Sequence, residues 1–287
     1  MRRMCALLAA ITLVLSGCHG VITDPNAGTI SNISVGADAA GVPTIDYPDG
    51  LTYSKEQTRV VWPGTGAHLQ PGDRILLDMY AVSLQSGAVI TDTYNGLPKA
   101  YILAPELLGQ ELYDILASAK VGERFLHVTP PLAGYQAQGA VALVVDVLPA
   151  RATGTVMPDR TDLPSVDVAP NGEPTITIAA DDVAPTDLVS ATLIEGAGEQ
   201  IRAGSHIEVT YVGVSYPDGA IFQSSWGDGE GPMTAQIGIG EVPAGWDQGL
   251  LDHTEGSRVM LLIPPALAYG DKALCFVIDI LAVWNQE

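Results

Sequence analysis

The pattern of apolar and polar positions reads mostly as strands. Ile207 to Val214 alternates with period two after its start, as a strand covered on one face does. Val259 to Ile263 and Leu274 to Leu281 are continuous β-rich runs and predict strands covered on at least one face. Pro217-Asp218-Gly219 carries a turn signal. Gly245 to Asp252 is the one short helix expected in this half, and Glu106 to Ala119 occupies the same place in the other. At the N-terminus, Met4 to Leu15 is an apolar run of 12 residues behind Arg2 and Arg3, too short to span a bilayer as an ordinary helix.

The pattern repeats. Gly41-Val-Pro-Thr-Ile45 recurs as Gly172-Glu-Pro-Thr-Ile176, and 72–87 aligns with 204–219 without a gap. Pro98 to Tyr135 aligns with Pro232 to Tyr269, keeping Gly122 with Gly256, Arg124 with Arg258, and Pro130-Pro131 with Pro264-Pro265. Two copies of one domain follow, 41–150 and 172–287. A linker is expected at 151–171 and a tether at 18–40. Strands around one short helix make each copy α+β.

Among 287 residues, 33 are acidic and 13 basic, a net charge of −20. That argues against nucleic acid, whose phosphates demand a basic face, and against electrostatic attachment to anionic lipid. Membrane residence would then need a covalent anchor. Residues 1–17 read as a signal peptide ending at Leu15-Ser16-Gly17-Cys18, which resembles a bacterial lipobox; the resemblance implies a lipidated Cys18 on the extracytoplasmic face of the cell membrane. A plain secretory signal is the alternative. Cys5 would leave with the signal, so Cys275 would have no disulfide partner and reads as a core residue.

The histidines are scattered, and no cysteine pair, nucleophile elbow or phosphate-cradling loop occurs. No cofactor or metal is expected. Gly227 to Gly231 holds two carboxylates but is too short for a helix-loop-helix calcium site.

Gly245-Trp246-Asp247-Gln248-Gly249-Leu250, with Ile263-Pro264-Pro265-Ala266-Leu267-Ala268-Tyr269-Gly270, suggests an aromatic pocket with an indole floor. These motifs resemble the FKBP-type peptidyl-prolyl cis-trans isomerases, well over the last 115 residues or so and weakly before them. The resemblance implies two FKBP-like domains, each a twisted, mostly antiparallel sheet wrapped on one short helix. It implies a floor at Trp246, walls at Tyr211, Phe222 and Phe276, an apolar contact at Val242 and a rim hydroxyl at Tyr269. It also implies activity on proline-containing polypeptides and an assisting role in the folding of exported proteins. Gln223 stands where the family has an aspartate, Met233 where it has a wall phenylalanine, and Pro243 where an isoleucine N–H meets a ligand carbonyl; proline has no N–H. The stretch after Gly270 is short. These departures imply weak macrolide binding, if any, and altered rate or specificity. In the first copy the pocket positions become Met79, Ile90, Leu108, Leu112 and about Leu143, with Tyr135 alone keeping its match to Tyr269. That copy is expected to be non-catalytic. A peptide-holding protein without catalysis is the rival reading; a purely structural surface protein leaves the aromatic set unexplained.

Overall fold

The computed structural model describes residues 27–39, 41–131, 139–179, 181–227 and 230–286. The expected signal peptide, Cys18 and Tyr135 lie outside them.

The N-terminal half contains a hairpin of β1 (Ser34–Ala37) and β2 (Pro43–Asp46), then β3 (Gln57–Trp62), β4 (Arg74–Ser83), β5 (Val89–Asp92), β6 (Lys99–Ile102), β7 (Arg124–Thr129) and β8 (Val141–Leu148). Helices α1 (Pro105–Leu108) and α2 (Gln110–Leu116) lie between β6 and β7. The single helix expected over 106–119 is interrupted because Gly109 sits at φ 75°, outside the helical region.

The C-terminal half contains β9 (Thr155–Val156), β10 (Ser165–Val168), β11 (Pro174–Thr177), β12 (Val189–Glu195), β13 (His206–Ser215), β14 (Ile221–Ser224), β15 (Met233–Gln236), β16 (Arg258–Ile263) and β17 (Leu274–Trp284), with α3 (Ala244–Gly249) before β16. The long strands fall where the apolar runs predicted them.

The two sheets share one strand order. It is β3-β7-β8-β4-β5 in the first, with β6 also on β4. In the second it is β12-β16-β17-β13-β14, with β15 on β13 and β9 added outside β12. Even the bulges correspond, between Ala81 and Val82 in β4 and between Gly213 and Val214 in β13. All named strand pairs are antiparallel, and the few helices are short, giving an α+β architecture.

Each sheet is covered on both faces, which is why β16 and β17 are buried nearly throughout rather than alternating. Trp246 and Leu250 pack with Val259, Leu261 and Ile278 on one face of the second sheet. Ile176 packs with Met260, Cys275 and Val277 on the other, where Leu163, Val166 and Ile178 join it. In the first half the hairpin side contributes Ile33, Val35 and Ile45 over Leu126 and Val144.

These hairpins correct two sequence expectations. The described part of the expected tether holds β1 and a buried Ile33, 2% exposed. The expected linker at 151–171 holds β9 and β10. Ala152 N donates to Asp279 Oδ2 at 3.0 Å, so the second half begins almost at once after β8.

One buried ion pair recurs as well. Arg258 grips Asp279 with two hydrogen bonds, 2.6 and 2.8 Å, and its Nη2 donates to Gly172 O. Arg124 grips Asp146 with two bonds of 2.6 Å, and its Nη2 donates to Gly41 O. Each pair ties a sheet to the hairpin behind it.

Candidate active site

Two glycines let α3 lie directly on β16. A Cβ on Gly245 would fall 2.4 Å from Ile263 Cγ2, and one on Gly249 would fall 2.7 Å from Leu261 Cδ2. Between them Trp246 is 3% exposed. Its indole Nε1–H is buried and meets no acceptor among the described residues.

Three rings converge here. Tyr211 stands edge-on to Trp246, with centroids 5.2 Å apart and planes at 87°. Phe276 does the same from another side, at 5.3 Å and 86°. Tyr211 and Phe276 are 6.1 Å apart. Edge-to-face geometry is the favoured arrangement of aromatic quadrupoles, so the rings hold one another in place.

Phe276 can occupy its position because its cross-strand partner is Gly213. Tyr211 is fixed through its backbone: Tyr211 N donates to Ser225 Oγ at 2.9 Å, and Ser225 N donates to Tyr211 O at 3.0 Å. Burial pushes the Tyr211 phenol above its ordinary pKa of 10.0, with Glu230 and Tyr269 adding to the effect, so it stays protonated at neutral pH.

The loop before α3 is shaped by Asp247, which sequence reasoning missed. Its carboxylate accepts from Gly238 N at 2.7 Å and Gly240 N at 2.8 Å, two glycines with φ of 81° and 86°. A G-x-G ahead of an acidic residue in a helix's first turn was the available signal. Pro243 precedes α3, and its carbonyl accepts from Trp246 N and Asp247 N.

These elements enclose a cavity of about 140 Å³. Tyr211, Trp246 and Phe276 line it, with Val242 and Pro243 from the loop and Gln223 and Tyr269 at its sides. Met233 and Glu241 complete it, the latter not foreseen. Phe222 does not line the cavity. It is 47% exposed, its ring 5.4 Å from Tyr269 and 6.5 Å from Phe276, so this expected wall stands outside as part of the mouth. Among the described residues no group of side chains could hold a metal ion, and no helix is long and apolar enough to cross a membrane.

A family model for FKBP-type peptidyl-prolyl cis-trans isomerases matches residues 197–279, the stretch that carries every wall of this cavity. An FK506-binding protein of Streptomyces anulatus is 39% identical over 131 residues, covering 42% of this chain and 96% of that protein. The chain belongs to the FKBP-type peptidyl-prolyl cis-trans isomerase family. A probable FK506-binding protein of Corynebacterium glutamicum is 38% identical, covering 34% of this chain and 89% of its own length. The chloroplastic peptidyl-prolyl isomerase FKBP13 of Arabidopsis thaliana is 40% identical, over 31% of this chain and 45% of its own length.

In the N-terminal half the positions at the same places in the sheet are aliphatic. Met79 pairs with Val145 as Tyr211 pairs with Ile278, and Ala81 pairs with Leu143 as Gly213 pairs with Phe276. Met79, Leu108, Leu112 and Leu143 pack onto the core there, while Ile90 is 52% exposed.

Proposed function

We propose that the C-terminal pocket catalyses prolyl cis-trans isomerisation, and that its edge-to-face Tyr211–Trp246–Phe276 cluster beside a small cavity carries the activity. The planar X-Pro amide is stabilised by charge-separated resonance, and its rotation faces a barrier of roughly 18–20 kcal/mol. A twisted amide loses that resonance. An aromatic surface disfavours the planar, polar form and seats the proline ring in a pose compatible with the twist, so binding energy is released selectively at the transition state. The phenol of Tyr269, 59% exposed at the rim, is placed to donate to a carbonyl beside the proline. Pro243 offers no N–H at the loop position where the family uses one, so carbonyl recognition falls more heavily on Tyr269.

The substrates are proline-containing polypeptides, and macrolide binding is weak. We read the chain as two copies of the FKBP domain, the first without catalytic function. The N-terminal segment supports export, with lipidation at Cys18 holding the protein on the outer face of the cell membrane, where it assists exported proteins to fold. A second reading, a peptide-holding lipoprotein that keeps the fold without turnover, is favoured by Gln223 and Pro243.

Proline-limited refolding of a test protein in the presence of the full chain separates these readings. Isomerase activity predicts acceleration that Trp246→Leu removes. No acceleration by the folded wild type would select the holding reading.

A further inference from the structure

The loop between β14 and β15 joins two strands that build the pocket. β14 ends just past Phe222 and Gln223, and β15 begins at Met233. This loop is gripped by a residue from the other half of the chain. Arg74, the first residue of β4, donates from Nη2 to Ser225 O at 2.9 Å and to Glu230 O at 3.2 Å. Its guanidinium carbon lies 4.7 Å from the ring centroid of Trp226, which is largely buried. The two carbonyls lie five positions apart in the loop, and one cation holds both. Charged donors and an aromatic stack make this stronger than a contact between neutral groups.

The far end of the loop is also covered from the N-terminal half. Pro98 and Lys99 face Pro232 and Thr234 across a common cleft, where Glu208 accepts from Thr234 Oγ1 at 2.6 Å. Ser225 closes the connection to the pocket, since its N and Oγ hold the backbone of Tyr211.

We propose that Arg74 is a positioning residue for the isomerase pocket: the N-terminal half, which lacks the aromatic set, fixes the β14–β15 loop and so sets the spacing of Gln223 and Met233 about Tyr211. This rests on reading the C-terminal cavity as the substrate site. The brace acts on the walls and not on the Trp246 floor, so its loss weakens substrate binding more than turnover.

The test compares the full-length wild type with Arg74→Ala, Arg74→Met and Arg74→Lys. Arg74→Met keeps the apolar stem without donors and serves if Arg74→Ala does not fold. Kinetics on a prolyl peptide are followed beside amide hydrogen exchange over 222–233. Arg74→Ala and Arg74→Met are expected to raise KM by roughly five- to tenfold with kcat changed less than about twofold. Exchange over 222–233 should quicken while β16 and β17 keep wild-type protection. Arg74→Lys, which retains a donor but not the planar stack, should fall between. Arg160→Ala removes an exposed arginine paired with Asp162 and should change neither readout. Folded Arg74→Ala or Arg74→Met with wild-type KM and exchange overturns the proposal, as does an equal KM effect from Arg160→Ala. If the wild type itself proves inactive, the isomerase reading fails, and exchange over 222–233 alone decides whether Arg74 braces the loop.

Discussion

Phe276 lies across Gly213: the two are cross-strand partners, and a Cβ on Gly213 would stand 2.3 Å from the phenyl Cε1. The glycine is therefore part of the pocket's construction, because the wall needs the space a side chain would fill. Gly213→Ala should displace the ring from its edge-on contact with Trp246, destabilise the protein by roughly 1–3 kcal/mol through overpacking, and lower isomerase activity. Denaturant unfolding beside the refolding assay would check both effects.

The N-terminal half has Ala81 and Leu143 at the corresponding pair. Aromatics grafted as Met79→Tyr, Ile90→Phe and Leu112→Trp should therefore fail to create activity, and adding Leu143→Phe alone should destabilise the fold. Only with Ala81→Gly is the ring given its space. Activity from the three-residue graft alone, measured in a Trp246→Leu background, would contradict this.

Much of this arrangement was legible in the sequence. The continuous β-rich runs of β16 and β17, the glycines around Trp246 and the repeated Arg124 and Arg258 marked the sheets and the contact of α3 with β16. What was hidden lay in partners chosen by folding. β9 is two residues long and β10 four, mostly exposed, so neither carries a period to read. The side of Phe222 that would meet the cavity depends on where the strand is bent at the bulge, which alternation cannot give. Asp146 and Asp279 carry no local signal of their arginine partners, which lie 22 and 21 positions away on the neighbouring strand. Arg74 lies 151 positions from Ser225, beyond the reach of any local pattern.

Arg258 and Asp279 are 6% and 2% exposed at their side chains. Removing one charge strands the other away from water, so Asp279→Asn should cost roughly 3–5 kcal/mol. The double change Arg258→Met, Asp279→Leu should recover a large part of that loss. Chemical denaturation of both variants beside the wild type measures the difference, and an equal loss in the two would contradict the assignment.

Stability should fall toward both acid and alkaline pH for separable reasons. Burial holds the His253 imidazole below its ordinary 6.5, with Asp252 and Gly249 O opposing. Such a group contributes stability that is present above 6.5 and lost as pH falls through its depressed folded value. His127 is lowered by burial in the same direction. Burial raises the Glu208 carboxyl above 4.5, against Thr234 and Lys99. Its contribution is fully present below 4.5 and lost as pH rises through its raised folded value. Midpoints of unfolding between pH 4 and 8 should show a flatter acid side in His253→Asn. Glu208→Gln should gain on the wild type at pH 8 and lose that advantage below 4.5.

The first sheet's last strand ends at Leu148, and Ala152 already bonds to Asp279 in the second. Pro149, Ala150 and Arg151 are all the chain that lies between. A joint so short gives the halves little slack, and with Arg74 reaching over it they would travel together. A polypeptide held at the pocket would therefore tumble with the whole molecule and not with one half alone.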